Sequence, residues 1–213
     1  MTGVQTCALP ISSGTAVITS AGKTLDPITQ NGAGGTVQLA SGTTTLASTA
    51  TYTLTAGTLD VGTNTATLST GLFSSNNSNT RSIIFGTGNI TVTGNAGTVV
   101  NMPTMTGFTY TGTPNFNSTY SGATGTRTFS LGSTAGATES NAVNLNITAG
   151  SDTIALTTAN VFRNLNWSGY TGTWTHSTFN YTMYGDLTWG SGMTLTIRSE
   201  EHTSELQSLR HLV

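Results

Sequence analysis

Threonine recurs at every second residue in several short stretches of this chain, and this period constrains the fold more than any other feature. Along 49–55 the odd positions are all Thr, whereas the even positions carry the apolar residues Ala50, Tyr52 and Leu54. A period of two puts one set of side chains on each face of a β-strand. Shorter stretches with the same alternation are found at 63–68, 164–168 and 179–183. The sequence therefore predicts short, half-buried strands.

Composition assigns the chain to the all-β class. Gly or Asn interrupts each alternating stretch, for example at 56–57, 87–89 and 150–152, and both residue types favour the tight turns that end strands. Thr, Gly, Ser and Asn dominate, while charged residues make up only 7% of the chain, so the strong helix formers Glu, Lys and Arg are scarce. Long helices would therefore have to form against propensity.

Two degenerate modules, at about 80–120 and 126–179, are indicated by four markers that return in the same order. The markers of the first module are Thr80–Gly86 (TRSIIFG), 89–91 (NIT), 110–113 (YTGT) and 118–120 (STY). Their counterparts in the second are 126–132 (TRTFSLG), 146–148 (NIT), 170–173 (YTGT) and 177–179 (STF). Short strands, frequent turns and repetition favour a β-solenoid, with a β-sandwich as the alternative.

Two segments carry a more specific resemblance. Residues 53–60 (TLTAGTLD) and 184–196 (YGDLTWGSGMTLT) resemble the repeats of right-handed parallel β-helix surface proteins. That group includes autotransporter and haemagglutinin-like passengers and phage tail-fibre or spike proteins. The resemblance implies a right-handed parallel β-helix of short Thr-, Gly- and Asn-rich strands, located outside the cell, on the cell surface or on a virion. It implies no catalytic residue.

The two ends of the chain resemble translated sequencing-adapter DNA. Residues 198–208 (RSEEHTSELQS) resemble the translation of a common library adapter, and 2–11 (TGVQTCALPI) resemble the translation of its reverse complement. We therefore expect 1–11 and 198–213 to be adapter-derived segments that pack poorly or form arbitrary elements, a short helix being one option for the second. The native β-solenoid fragment is then 12–197, and Cys7, the sole cysteine, lies outside it.

Charge excludes some partners. Residues 12–197 contain four basic and five acidic side chains, a net charge of −1. So few cations give no counterion-release drive toward nucleic acid and no polybasic membrane anchor. No apolar run approaches the ~20 residues of a membrane-spanning helix, so we expect no membrane insertion in this fragment. Surface carbohydrate is the partner class we expect from the resemblance to surface proteins and from the aromatic cluster described below, and the sequence does not set an oligomeric state.

A polysaccharide lyase or glycoside hydrolase is the enzymatic alternative. Such chemistry needs paired carboxylates, or an acidic calcium cluster with a base. The acids of 12–197 are far apart in sequence, mostly in turn-like surroundings, and His176 has no Cys or carboxylate neighbour and indicates a surface or turn residue. We therefore predict no catalytic residue, no metal site and no cofactor. The acids are Asp26, Asp60, Glu139, Asp152 and Asp186.

An aromatic cluster near the C-terminal end is the candidate binding site. Such rings could stack on sugars, with Asn164, Asn166 and Asn180 supplying hydrogen bonds. The alternative is a packed core stack, which the alternation of Phe179 and Tyr181 favours. The predicted glycan-binding residues are Trp167, Tyr170, Trp174, Tyr184 and Trp189.

Threonine rows raise one further alternative, an ice-binding array that matches a water lattice. Such an array needs constant register between coils, whereas the rows at 49–55 and 63–67 do not return at a constant interval. Threonine is also an ordinary solvent-face strand residue. The sequence thus favours a structural or adhesive surface repeat, with glycan or host-surface binding as its activity.

Overall fold

The chain forms a parallel β-solenoid of about 7 turns in a computed structural model, and no helix is present in the part of the chain described. The structure describes 12–95, 97–132, 138–140, 142–158, 160–176 and 179–197, together with the backbone of Cys7–Leu9. Within these residues there are 21 strands. They are β1 Cys7–Leu9, β2 Gly14–Ile18, β3 Thr24–Leu25, β4 Ile28–Leu39, β5 Gly42–Leu46, β6 Thr51–Asp60, β7 Ala66–Thr70, β8 Leu72–Ser74, β9 Arg81–Gly86, β10 Asn89–Val92, β11 Gly97–Met102, β12 Phe108–Gly112, β13 Asn115–Ser118, β14 Thr126–Leu131, β15 Val143–Ile147, β16 Thr153–Leu156, β17 Asn160–Asn166, β18 Thr173–His176, β19 Tyr181–Met183, β20 Leu187–Thr188 and β21 Thr194–Ile197.

The strands build three faces. Face one is the ladder β1-β4-β6-β8-β11-β14-β16-β18-β21. Face two is β2-β4-β6-β9-β12 and belongs to the same 12-stranded sheet, because the long strands β4 and β6 bend and serve both faces. Face three is the separate nine-stranded sheet, with β3, β5, β7, β10, β13, β15, β17, β19 and β20. The recorded strand pairs are parallel, so each coil returns the chain to the same side of the rod.

The core lies between the faces, and the predicted alternation builds it. In β6 the even-numbered Tyr52 and Leu54 are fully buried while the intervening Thr residues stay half-exposed. Register then stacks inward side chains of neighbouring coils, as in Leu68, Ile90 and Phe116 of face three. This confirms the half-buried strand predicted at 49–56. Burial of such columns supplies the main drive for folding, at roughly 25 cal/mol per Å² of apolar surface.

Corners absorb the differences in coil length. Asn115 and Asn144 are 29 residues apart, and Asn144 and Asn164 are 20 residues apart, yet all three are neighbours in face three. Gly57 makes one such corner inside β6, with φ of 84°, and a Cβ there would come within 2.2 Å of the Gly32 carbonyl oxygen. Only glycine fits this position without a shift of the backbone.

The row 63–67 is not one strand, because Thr63 and Thr65 belong to the turn that precedes β7. The arginine markers of the two modules lie on different faces, 81–86 on face two and 126–131 on face one, so the structural repeat is the coil, and the duplication stays a prediction. The predicted adapter-derived ends lie mostly outside the described residues, which omit 1–6, 10–11 and 198–213, as they omit 177–178 of the last repeat marker. The described part of the N-terminal end is β1, whose backbone pairs with Ile28–Gln30.

Candidate functional site

Asp60, the first of the predicted candidate acids with a buried side chain, stabilises a turn. Its Oδ1 accepts the backbone N–H groups of Gly62 and Thr63, both at 2.9 Å. Its Oδ2 accepts the Thr63 hydroxyl at 2.6 Å and the Gln38 amide at 2.9 Å. Burial alone would raise the pKa of the Asp60 carboxyl, but these hydrogen bonds outweigh it, and the pKa lies below its ordinary value. An acid held in this way is suited to capping rather than to proton transfer.

Asp152 is committed to a buried ion pair. Its two carboxylate oxygens accept Nε of Arg127 at 2.6 Å and Nη2 at 2.8 Å, and both side chains are fully buried. Nη1 of Arg127 donates to the Ser118 hydroxyl, and the Tyr120 ring lies 4.9 Å from the guanidinium carbon. The bidentate geometry satisfies the charges that burial would otherwise penalise. The pair links two neighbouring coils, and it engages both oxygens of the Asp152 carboxylate, which is therefore not free for catalysis.

Arg81 is buried without a carboxylate among its recorded partners. Its Nε donates to the Ser75 hydroxyl at 2.7 Å. Nη1 donates to the carbonyls of Asn79 and Thr106, and Nη2 to those of Ser75 and Thr104. All five guanidinium N–H groups are therefore used. The residue ties two corner loops together and offers no donor to a ligand.

The remaining titratable groups do not form a catalytic constellation in the described structure. Asp26 and Asp186 are exposed, and Glu139 lies 3.9 Å from Arg163 at the surface. His176 ends β18, where its ring packs at 5.3 Å from that of Tyr181, so it is a strand residue rather than a turn residue. No group of three or more His, Cys, Asp or Glu able to hold a metal occurs among the residues described.

Three of the five predicted glycan-binding aromatics are core residues. Trp167, Tyr170 and Trp174 are 0%, 0% and 5% exposed, and the two indoles stack with centroids 5.1 Å apart. The Tyr170 hydroxyl donates to the Asp152 carbonyl at 2.6 Å, and burial raises the pKa of Tyr170 above its usual value. A sugar cannot reach these rings. The prediction of a solvent-facing platform is wrong for them. The corner after β17 places Trp167 and Tyr170 inward, whereas Trp174 points inward by the alternation of β18, in register with the buried Ile154.

The other two predicted aromatics lie on the last coil. Tyr184 is 47% exposed and Trp189 is 46% exposed. Trp189 still contacts the core, since its ring lies 5.9 Å from that of Trp174. Leu187 pairs with the buried Leu165 but is itself 41% exposed. These side chains are exposed at the end of the described solenoid, and they do not form a row along its side.

A ladder of hydrogen-bonded asparagines runs along the outer surface of face three. Nδ2 of Asn144 donates to Oδ1 of Asn115 at 2.7 Å, and Nδ2 of Asn164 donates to Oδ1 of Asn144 at 3.0 Å. In a second column, Asn146 donates to Asn117 at 2.9 Å. A diagonal bond of 3.2 Å joins Asn117 to Asn89. We call these six residues the asparagine ladder: Asn89, Asn115, Asn117, Asn144, Asn146 and Asn164.

The sequence contains a signal for this ladder beyond the alternation of polar and apolar residues. The triplet Asn-apolar-Asn occurs at 115–117, 144–146 and 164–166, each time with the apolar residue buried. Alternation places the asparagines outward, but it does not say that the three triplets are neighbours. The triplets are 29 and 20 residues apart, and because these intervals differ, the sequence alone does not reveal that the triplets share one register.

Polar residues continue the ladder columns in both directions. One column of face three reads Thr45, Ser69, Thr91, Asn117, Asn146, Asn166 and Thr188 by strand register. On face one, Thr126, Thr153, Thr173 and Thr194 are also in register. On the sequence alone, the irregular intervals between Thr rows argue against a constant register between coils. That inference is wrong, because corners of different length absorb the irregularity while the strands stay in register. Ordered rows of hydroxyl and amide groups therefore run along faces one and three.

Comparison with known proteins gives no relative. No family model, no curated protein and no solved structure matches this chain. In the described residues no helix is long and apolar enough to cross a membrane.

Proposed function

We propose that this chain is a structural and adhesive segment of a surface repeat protein, located outside the cell, on a cell surface or on a virion. The right-handed β-helix proteins that 53–60 and 184–196 resemble, autotransporter passengers and phage tail fibres, are the type it fits best. The single observation that supports the proposal is the ordered rows of hydroxyl and amide groups around a continuous core. Solenoids with such extended surfaces commonly serve as binding scaffolds.

Carbohydrate is the partner class that this exterior suits. The outer rows consist of Thr, Ser and Asn side chains, so they carry no charge. The charged groups Asp60, Asp152 and Arg127 are buried, and hydrogen bonds or an ion pair already engage them. Hydroxyl and amide groups instead exchange hydrogen bonds with sugar hydroxyls. A rigid array loses little conformational entropy on binding, which favours affinity spread over many weak contacts.

One experiment separates this function from its enzymatic alternative. The purified chain is incubated with a panel of insoluble and soluble polysaccharides, and both the retained protein and the newly formed reducing or unsaturated ends are measured. Retention without product is expected. Release of product that grows linearly with protein concentration would show a hydrolase or lyase, and lack of retention on every polysaccharide would contradict the adhesive proposal.

Ice binding is a second candidate, favoured by the register of Thr126, Thr153, Thr173 and Thr194 on face one. Strands in a sheet are ~4.8 Å apart, so the row has a fixed repeat of the kind that a crystal surface can match. Facetting of single ice crystals at micromolar protein would support this function. Unchanged round discs, with Thr153→Leu behaving like the parent chain, would exclude it.

A further inference from the structure

The amides of the asparagine ladder are held in place before any ligand arrives. Each amide has two N–H groups and an oxygen with two lone pairs. Asn144 donates one N–H to Asn115 and accepts one from Asn164, at 2.7 and 3.0 Å. One N–H and one lone pair of Asn144 are left over, and its side chain is half-exposed. The ladder thus presents donors and acceptors in fixed directions.

The ladder has the dimensions of a single extended polymer chain. Its residues lie on four successive strands of face three, β10, β13, β15 and β17. Neighbouring strands are ~4.8 Å apart, which is comparable to the length of one pyranose unit, and alternate residues of one strand are ~6.6 Å apart. A polymer lying along the rod between the two columns would meet a pair of polar side chains at each strand.

The surroundings of the ladder select against charge. Residues in register with it on the N-terminal side are Thr67, Ser69 and Thr91. At the other end, the backbone N–H of Asp186 donates to Oδ1 of Asn164 at 2.8 Å, and the Asp186 side chain is exposed. A carboxylate at this end disfavours an anionic polymer. The cation nearest the ladder is the half-exposed Arg163, which donates to the Thr113 hydroxyl at 3.3 Å, and its charge is offset by the Glu139 carboxylate 3.9 Å away.

We propose that the asparagine ladder binds one chain of a neutral, linear polysaccharide, aligned with the axis of the solenoid. This inference rests on the proposed function and adds the surface and the ligand class. Sugar hydroxyls on both edges of the polymer exchange hydrogen bonds with the free N–H groups and oxygens of the two columns. Recognition is through the edges of the sugar rings, so it does not need the aromatic stacking that the burial of Trp167 and Trp174 rules out.

The test compares two double variants. Asn117→Leu with Asn144→Leu removes both columns at the centre of the ladder while keeping side-chain size. Thr58→Val with Ser82→Val is the matched control, because it removes a 2.7 Å hydrogen bond between outward side chains on face two. Binding is measured by affinity electrophoresis in gels that contain hydroxyethyl cellulose, glucomannan or polygalacturonate. Urea unfolding of each variant, followed by circular dichroism, checks that it is folded.

The expected result is retardation by a neutral polymer, at least tenfold weaker in the ladder variant and unchanged in the face-two control. Affinity for cello-oligosaccharides should rise with length and level off near the span of the four strands. If the ladder variant does not fold, Asn117→Asp, which keeps the shape and adds a charge, takes its place.

Two outcomes would overturn this inference and leave the proposed function standing. One is neutral-polymer binding that the ladder variant retains in full, and the other is preference for polygalacturonate. Facetting of ice that only the ladder variant loses would replace the polysaccharide by ice as the occupant. Lack of retardation by any polymer would contradict both the inference and the carbohydrate part of the proposed function.

Discussion

Removal of the Asp152 carboxylate should be the most destabilising polar substitution in the chain. In Asp152→Ala the Arg127 guanidinium stays in the core, and Nε and Nη2 lose their acceptors at 2.6 and 2.8 Å. Breaking a buried pair on one side costs about 3–5 kcal/mol, because the remaining charge is uncompensated. With a slope of about 2 kcal/mol per molar urea, the unfolding midpoint should fall by about 1.5–2.5 M.

The assay is urea unfolding followed by circular dichroism, with Glu139→Ala as control. The Glu139–Arg163 pair has an N–O distance of 3.9 Å and is exposed, so its loss should cost under about 1 kcal/mol. The double replacement Arg127→Met with Asp152→Leu should recover most of the midpoint, since apolar residues can replace a buried pair at little cost. Equal midpoint shifts for Asp152→Ala and Glu139→Ala would refute the reasoning.

Two further predictions follow from burial and hydrogen bonding. The folded-state pKa of Asp60 is lowered, so its contribution to stability is present above the unfolded pKa of about 3.9 and is lost as pH falls through the folded pKa. Asp60→Asn should therefore flatten the acid limb of stability below about pH 4, as measured by thermal unfolding, whereas the exposed Asp26→Asn should not. Trp174→Ala should cost about 3–5 kcal/mol and Trp189→Ala about 1–2 kcal/mol, because Trp189 is already 46% exposed; equal losses of unfolding free energy would contradict the packing.

The strands were predictable from the sequence because their signal is local. Alternation along 49–56 and 164–168 is read from neighbouring residues, and the structure buries Tyr52 and Leu165 as expected. The solenoid itself followed from short strands and repeats. The turn at Thr63 was missed because Thr serves equally well in a strand and in a turn that Asp60 caps.

The candidate site was predictable only in part, because it depends on contacts between distant coils. The burial of Arg81 requires five acceptors from corner loops, which no pattern of charge in the sequence indicates. The inward position of Trp167 and Tyr170 depends on how the corner after β17 folds. The asparagine triplets are visible in the sequence, but register alone makes them neighbours.

Because coils of unequal length stack in register, the chain can gain or lose residues at its corners during evolution. Residues added between Ser118 and Thr126 would enlarge one edge of the rod, while the hydrogen-bonded pairing of β13 with β15 would keep Asn117 next to Asn146. Insertions and deletions at these edges are thus nearly neutral for the flat surfaces. The outline of the molecule can diversify rapidly while the spacing of its surface amides stays the same.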